Sequence, residues 1–232
     1  LEFFGIPSLS PRQRWTVWKW FLIVAGIVIA AVVLFVSNTI HITRGGPAHA
    51  FTRSANNMRQ IGMAMFEFET EFRSFPNDST IALVRERYPE SKIPMGTSSA
   101  NDYFHQLFAP QLISDPLIFH AYGVTTRRPT EVVDGEPPLP PGTCGFAYII
   151  TEGQSVRPDT PLVVYPLVKE KFVFDKKLCK LGGGKAYILR ADNSVQSHPI
   201  DSSGRMIIDG RDLFDPAQPH WHGRSFRVAW PE

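Results

Sequence analysis

Two cysteines in 232 residues cannot build a four-thiolate zinc site, so zinc-ribbon and RING architectures are excluded. Charge of either sign is also scarce in excess: 24 Lys and Arg stand against 22 Asp and Glu, a formal +2. A dedicated nucleic-acid binder concentrates basic residues on one face, and this balance argues against one. The common catalytic signatures are missing too, with no G-x-S-x-G elbow, no H-E-x-x-H and no phosphate loop. Gly182-Gly183-Gly184-Lys185 lacks the leading glycine spacing and the following Ser or Thr, and it precedes a strand-like segment. Glu67, Glu69 and Glu71 alternate along a helical segment and so point apart, unlike a paired acid and base. These absences point to a chain that is not an enzyme and holds no cofactor. What remains is a composition that can fold: 43% hydrophobic and 20% charged, with 17 Gly and 20 Pro implying many turns.

Polar side chains are absent from Phe21 to Val36. A membrane span needs roughly 20 mostly apolar residues, which Val17–Val36 supplies if Lys19 snorkels to the headgroups. Trp15, Trp18 and Trp20 fit an interfacial aromatic belt, and Arg12, Arg14 and Lys19 outnumber the lone Arg44 across the run. The expectation is a single transmembrane helix with flanks over 15–43, a cytoplasmic segment over 1–14, and an extracytoplasmic domain over 48–232. A core helix would show a polar side, and this run has none. The A-x-A pattern at Ala48-His49-Ala50 lies too far beyond the run, past Arg44 and Pro47, to favour a cleaved leader.

Beyond Gly45-Gly46-Pro47, Met58, Ile61, Met65, Phe68 and Phe72 recur at steps of three and four, which predicts an amphipathic helix from about Ala48 to Arg73. That stripe reads as packing against the domain's own sheet. Short helices are expected over Thr80–Tyr88, capped from Asn77-Asp78-Ser79, and over Ala100–Ala109. Strands are expected at Leu117–His120, Gly145–Ile150, Leu162–Val168, Lys171–Phe174, Ala186–Arg190, Val195–Ile200 and Phe226–Trp230. Ala191-Asp192-Asn193-Ser194 supplies a hairpin turn, and the proline-rich Glu136–Gly142 reads as a surface spacer. Helices first and strands later indicate an α+β domain with a mostly antiparallel sheet.

Cys144 and Cys179 fall in the segment expected outside, where thiols oxidise. Their pairing would stabilise by roughly 2–4 kcal/mol; two buried free thiols are the alternative. Asp209, Asp212 and Asp215 form the densest acidic cluster and are candidate calcium ligands, although Arg211 interrupts them and the spacing is not an EF-hand's. Turn and cap carboxylates explain them as well. His220-Trp221-His222 is a weak half-site for zinc or copper, while His105 and His120 read as packed or surface residues.

The segment Ala55-Asn56-Asn57-Met58-Arg59-Gln60-Ile61-Gly62-Met63-Ala64-Met65, closing on Phe72-Arg73-Ser74-Phe75-Pro76, resembles the N-N-(L/M)-(K/R)-Q-I-G-x-A … F-P signature of bacterial type IV pilin-like and pseudopilin-like proteins. Gly183–Val195 is similar to their later G-G … A-D-G-S-V hairpin. The resemblance implies a pilin-like fold in which an N-terminal helix precedes a second, amphipathic helix packed on the sheet. It implies a structural or assembly role in a pilus-like or secretion-like system, at the bacterial inner membrane with the C-terminal domain periplasmic or extracellular. The implied partners are the lipid bilayer, other pilin-like or envelope proteins and copies of the chain itself, with no nucleic acid. Anchored binding of a small ligand, glycan or metal is the alternative role. The chain is divergent within that pattern. A clear prepilin cleavage site is missing, no acidic residue stands between Glu2 and Glu67, and Gly182 occupies the place where relatives often carry a histidine.

Overall fold

A computed structural model describes residues 11–43, 46–133, 135–151 and 156–232, in two units, Leu1–Gly46 and Pro47–Glu232. The first unit contains one helix, α1 (Pro11–Thr43). Its described side chains, Trp15 and Trp18–Leu34, are apolar on every side apart from Lys19, and none of them is buried. The Lys19 ammonium sits 3.6 Å over the Trp15 ring. The expected transmembrane helix is corrected here: among the described residues, no helix is long and apolar enough to cross a membrane. Among the described side chains of Trp18–Leu34, Lys19 stands second, so the apolar run is Trp20–Leu34, short of the roughly 20 apolar residues that a hydrocarbon core requires. Residues 1–10, Arg44 and Gly45, and the side chains of Arg12 and Arg14, lie outside the described residues, and with them most of the charges of the orientation argument.

In the second unit, α2 (Pro47–Phe72) starts with proline at its first position, where the missing N–H costs nothing. It stops where Arg73 turns to φ 59° and donates its N–H to the Glu69 carbonyl at 2.7 Å. Met58, Ile61, Met65 and Phe68 are fully buried, as the periodicity predicts, each contributing about 1.5–3 kcal/mol. They pack on a five-stranded antiparallel sheet of β1 (Ala147–Thr151), β2 (Pro161–Tyr165), β3 (Lys185–Arg190), β4 (Val195–Pro199) and a late strand, Phe226–Ala229. A two-stranded ribbon of β5 (Ile207–Ile208) and β6 (Arg211–Asp212) precedes that late strand, which is therefore β7. The strand order is β4-β3-β2-β1-β7, so the α+β class with an antiparallel sheet holds.

Both faces of the sheet are covered. Tyr148, Ile150, Val163, Tyr165 and Leu189 join α2 in one core. Ala147, Ile149, Val164, Ala186 and Ile188 face a second core with Phe174, Met206, Leu213 and Trp221. Alternate burial on two sides explains why β1 and β2 read as near-continuous apolar runs rather than as alternating ones.

Other elements depart from the sequence reading for local reasons. Leu117–His120 is not a strand but part of a 3-10 turn, Pro116–Phe119, because Asp115 Oδ1 accepts the Leu117 N–H at 2.9 Å and Pro116 favours a helical start. Lys171–Phe174 makes only an isolated bridge, Leu167 to Phe174. The N–H of Val168 donates to the Val173 carbonyl at 2.9 Å and closes a turn there instead. α3 (Thr80–Arg87) matches its expected range, and α4 (Ala100–His105) is shorter than expected, capped by the reciprocal Ser99–Asp102 box. A further helix, α5 (Lys176–Leu181), is capped by Asp175, which accepts from the Lys177 and Leu178 N–H groups. Glu136–Gly142 is not a free spacer: Leu139 is buried, its carbonyl accepts from Asn101 Nδ2 at 2.9 Å, and its N–H donates to His105 Nε2 at 3.2 Å.

The burial of His105 has a pH consequence. Burial pushes the His105 imidazole below its ordinary value of 6.5, and burial does the same at His220. The folded state therefore favours neutral rings, while the unfolded chain binds protons first as pH falls past about 6.5. Stability contributed by these groups is full above that value and lost below it, towards the lowered folded pKa. Urea midpoints measured at about pH 8 and about pH 5 should fall on acidification, and His105→Gln should reduce the fall.

Candidate functional site

The two segments carrying the family resemblance meet in space. Gly62 lies on the buried side of α2, and the turn between β3 and β4 packs directly over it. A Cβ at Gly62 would strike Asn193 Oδ1 and approach Leu189 Cδ1 to 2.8 Å. The turn is held by the Arg190 N–H to Ser194 carbonyl bond at 2.9 Å and by Asp192 Oδ1, which accepts the Ser194 N–H at 2.9 Å. Asn193 adopts φ 64°, a left-handed conformation that asparagine tolerates. At the other end of α2, the Phe75-Pro76 closure is tied to the sheet by Tyr148, whose hydroxyl donates to the Pro76 carbonyl at 2.7 Å.

The outer face of α2 is the surface this junction presents. Arg59, Met63, Phe66 and Thr70 follow helical spacing along one ridge, and Met63 and Phe66 are 51% and 56% exposed. Two large apolar side chains on the polar flank of an amphipathic helix have no partner in the core beneath them. The sequence reading missed them because it followed only the buried stripe. Their signal was present as Met63 and Phe66, three apart and off that stripe. Charge along the same face is polarised, with Arg59 towards the start and Glu67 towards the end, both exposed.

Beside β7 lies a cavity of about 580 Å³ bordered by Phe72, Arg73, Asp78, Leu83 and Arg227. Asp78 Oδ1 accepts from the Tyr103 hydroxyl at 2.5 Å and from Arg227 Nη2 at 2.7 Å. Burial opposes ionisation of Asp78, but these two donors prevail and hold its carboxyl below the usual range. Burial, helped by the bond to Asp78, pushes Tyr103 up to about 12. The trio locks loop to strand. No side chain in it is a nucleophile placed next to a base.

The candidate metal ligands do not converge. Asp212 Oδ1 accepts the Phe214 N–H and Asp215 Oδ1 accepts the Ala217 N–H, both at 2.8 Å, while Asp209 sits at φ 50° in the β5–β6 turn. Arg205 Nε, 3.7 Å from Asp212 Oδ2, supplies the countercharge a cation would have provided. Among the described residues, no group of three His, Cys, Asp or Glu could hold a metal ion. His220 and His222 also diverge: Nε2 of His220 meets the Leu213 carbonyl at 3.1 Å, and that of His222 meets Asp159 Oδ1 at 2.9 Å. Cys144 and Cys179 are free thiols in separate cores on opposite faces of the sheet. Burial pushes both up to about 12, so neither is a ready thiolate. Gly182 ends α5 at its carbonyl end, which is unsuited to a phosphate. Glu71 is taken up by the Tyr88 hydroxyl at 2.7 Å and by Arg87 at 3.3 Å. Against known proteins, the chain matches no family model, no curated protein and no solved structure.

Proposed function

We propose that the chain is a non-enzymatic, pilin-like structural subunit of a bacterial envelope assembly, acting through protein–protein contact. The observation that carries this reading is the junction at Gly62, where the two family-like segments, far apart in sequence, form one packed unit. Two exposed features fit a subunit role. Apart from Lys19, the described side chains of α1 are apolar on every side, a surface that suits close packing against like helices. The outer ridge of α2 places Met63 and Phe66 between Arg59 and Glu67. A second copy, staggered along the helix axis, would bury the apolar pair and set Arg59 of one copy against Glu67 of the next.

A photo-cross-linker in place of Thr70, exposed on the same ridge, in the full chain in its native envelope, tests this. Cross-links to a second copy or to another pilin-like chain are expected. Met63→Glu with Phe66→Glu should lower their yield about tenfold or more, as for loss of an interface anchor, with an unchanged Tm. Cross-links confined to the chain itself, or a yield indifferent to the two substitutions, would sink the proposal. A second reading, a binding protein for a small ligand or glycan, is favoured by the cavity beside β7, where Arg73 and Arg227 offer donors around an apolar floor.

A further inference from the structure

We propose that Arg53, Arg128 and His120 form a binding site for a phosphoryl group, in the cavity between α2 and the 115–128 segment. The cavity, about 230 Å³, is lined by these three residues with Asn57, Gln60 and Asp115. That volume accommodates one tetrahedral oxyanion and is smaller than the usual pocket for a drug-sized ligand. Arg53 and Gln60 reach it from the same face of α2, about two turns apart, and Arg128 from the 115–128 segment. Neither guanidinium has an ion pair or hydrogen bond among the described residues, whereas Arg87, Arg205 and Arg227 are each paired with a carboxylate. Asp115 is the one acidic group in the lining, and its Oδ1 is occupied as the cap on the Leu117 N–H at 2.9 Å. The cavity thus keeps an excess of positive charge, with Gln60 adding an amide donor.

The wall is rigid where it needs to be. Asn57 Nδ2 donates to the carbonyls of His120 at 3.1 Å and Leu117 at 3.5 Å, fixing the 117–120 turn against α2. His120 reports the local field. Burial first, then the Arg128 guanidinium, and more weakly that of Arg53, hold its imidazole below the usual value. The guanidinium charges beside this ring are the same charges an oxyanion would meet, and guanidinium forks suit its geometry. A phosphoryl group between them would relieve the repulsion and let His120 protonate at higher pH. The same chemistry is offered by free phosphate and by the phosphodiester of an anionic lipid headgroup.

The test is titration of the full chain with inorganic phosphate and, separately, with glycerophosphoglycerol as the headgroup diester, following the His120 ring by NMR. An upward movement of the His120 titration with inorganic phosphate assigns the site to a free phosphate. The same movement with the diester alone assigns it to a headgroup. In either case Arg53→Gln and Arg128→Gln should each weaken binding about tenfold, with an unchanged Tm. Failure of both probes to move His120, or binding that survives the double substitution, overturns the site.

Discussion

Leucine in place of Gly62 should cost the Pro47–Glu232 unit about 3 kcal/mol, the upper end of what overpacking costs in a close-packed core. In a domain of this size that is a Tm fall of roughly 6–12 °C. The reason is spatial. α2 lies so close to the β3–β4 hairpin that even a Cβ on Gly62 would overlap Asn193 Oδ1 and press on Leu189 Cδ1 at 2.8 Å. Leu189 is fully buried and cannot swing away. Asn193 Oδ1 is itself buried without a hydrogen-bond partner, so the site already tolerates one unmet polar atom to achieve the contact.

Alanine makes the sharper test. Gly62→Ala gains up to about 1 kcal/mol of helix propensity and loses about 1–3 kcal/mol to overpacking. The net effect alone should be a modest loss. Asn193→Gly removes the colliding side chain and keeps a residue at ease with φ 64°. In that background Gly62→Ala should cost less, with only the Leu189 Cδ1 contact at 2.8 Å left to accommodate. Equal costs in both backgrounds, by urea denaturation, would show that the helix and the hairpin are not in contact at this point.

The contact also shows which parts of the chain were readable in advance. Met58, Ile61, Met65 and Phe68 could be assigned to a buried face because helical spacing and burial agree along the whole of α2. The β3–β4 hairpin was legible because its Asp-Asn-Ser turn has a local chemistry that few other conformations satisfy. Leu117–His120 misled because strand-forming side chains were outweighed by one carboxylate and one proline upstream. The acidic triplet fits the alternative reading as turn and cap carboxylates at two of its positions. Asp212 and Asp215 each accept an N–H in a separate local turn, so proximity in sequence did not become convergence in space. Met63 and Phe66 were invisible to a periodicity argument because they violate the period, and violations are where a surface differs from a core. Arg53 and Arg128 come from segments whose adjacency depends on tertiary packing, which spacing cannot reveal.

Removing the Phe51 ring should be the most damaging single truncation near the start of α2, at about 3–5 kcal/mol for Phe51→Ala. The side chain is 1% exposed and lies with its centroid 5.4 Å from that of Tyr165, 6.2 Å from Tyr187 and 6.3 Å from Tyr122. It also fills the space in front of Gly182, where a Cβ would meet Phe51 Cε1 at 2.7 Å and Cγ at 2.8 Å. This gives a physical reason for a glycine at that position. A histidine at 182 and a phenylalanine at 51 would compete for one volume, and here the ring from α2 has it. Gly182→His should therefore destabilise the wild type by overpacking, about 1–3 kcal/mol or more. In a Phe51→Ala background the imidazole would enter the vacated cavity, and the same substitution should cost less or restore stability. The two positions touch, so a coupling of about 0.5–3 kcal/mol is expected in the double-mutant cycle. Additive costs, read from urea midpoints at constant m, would place the ring elsewhere and leave the glycine at 182 without this explanation.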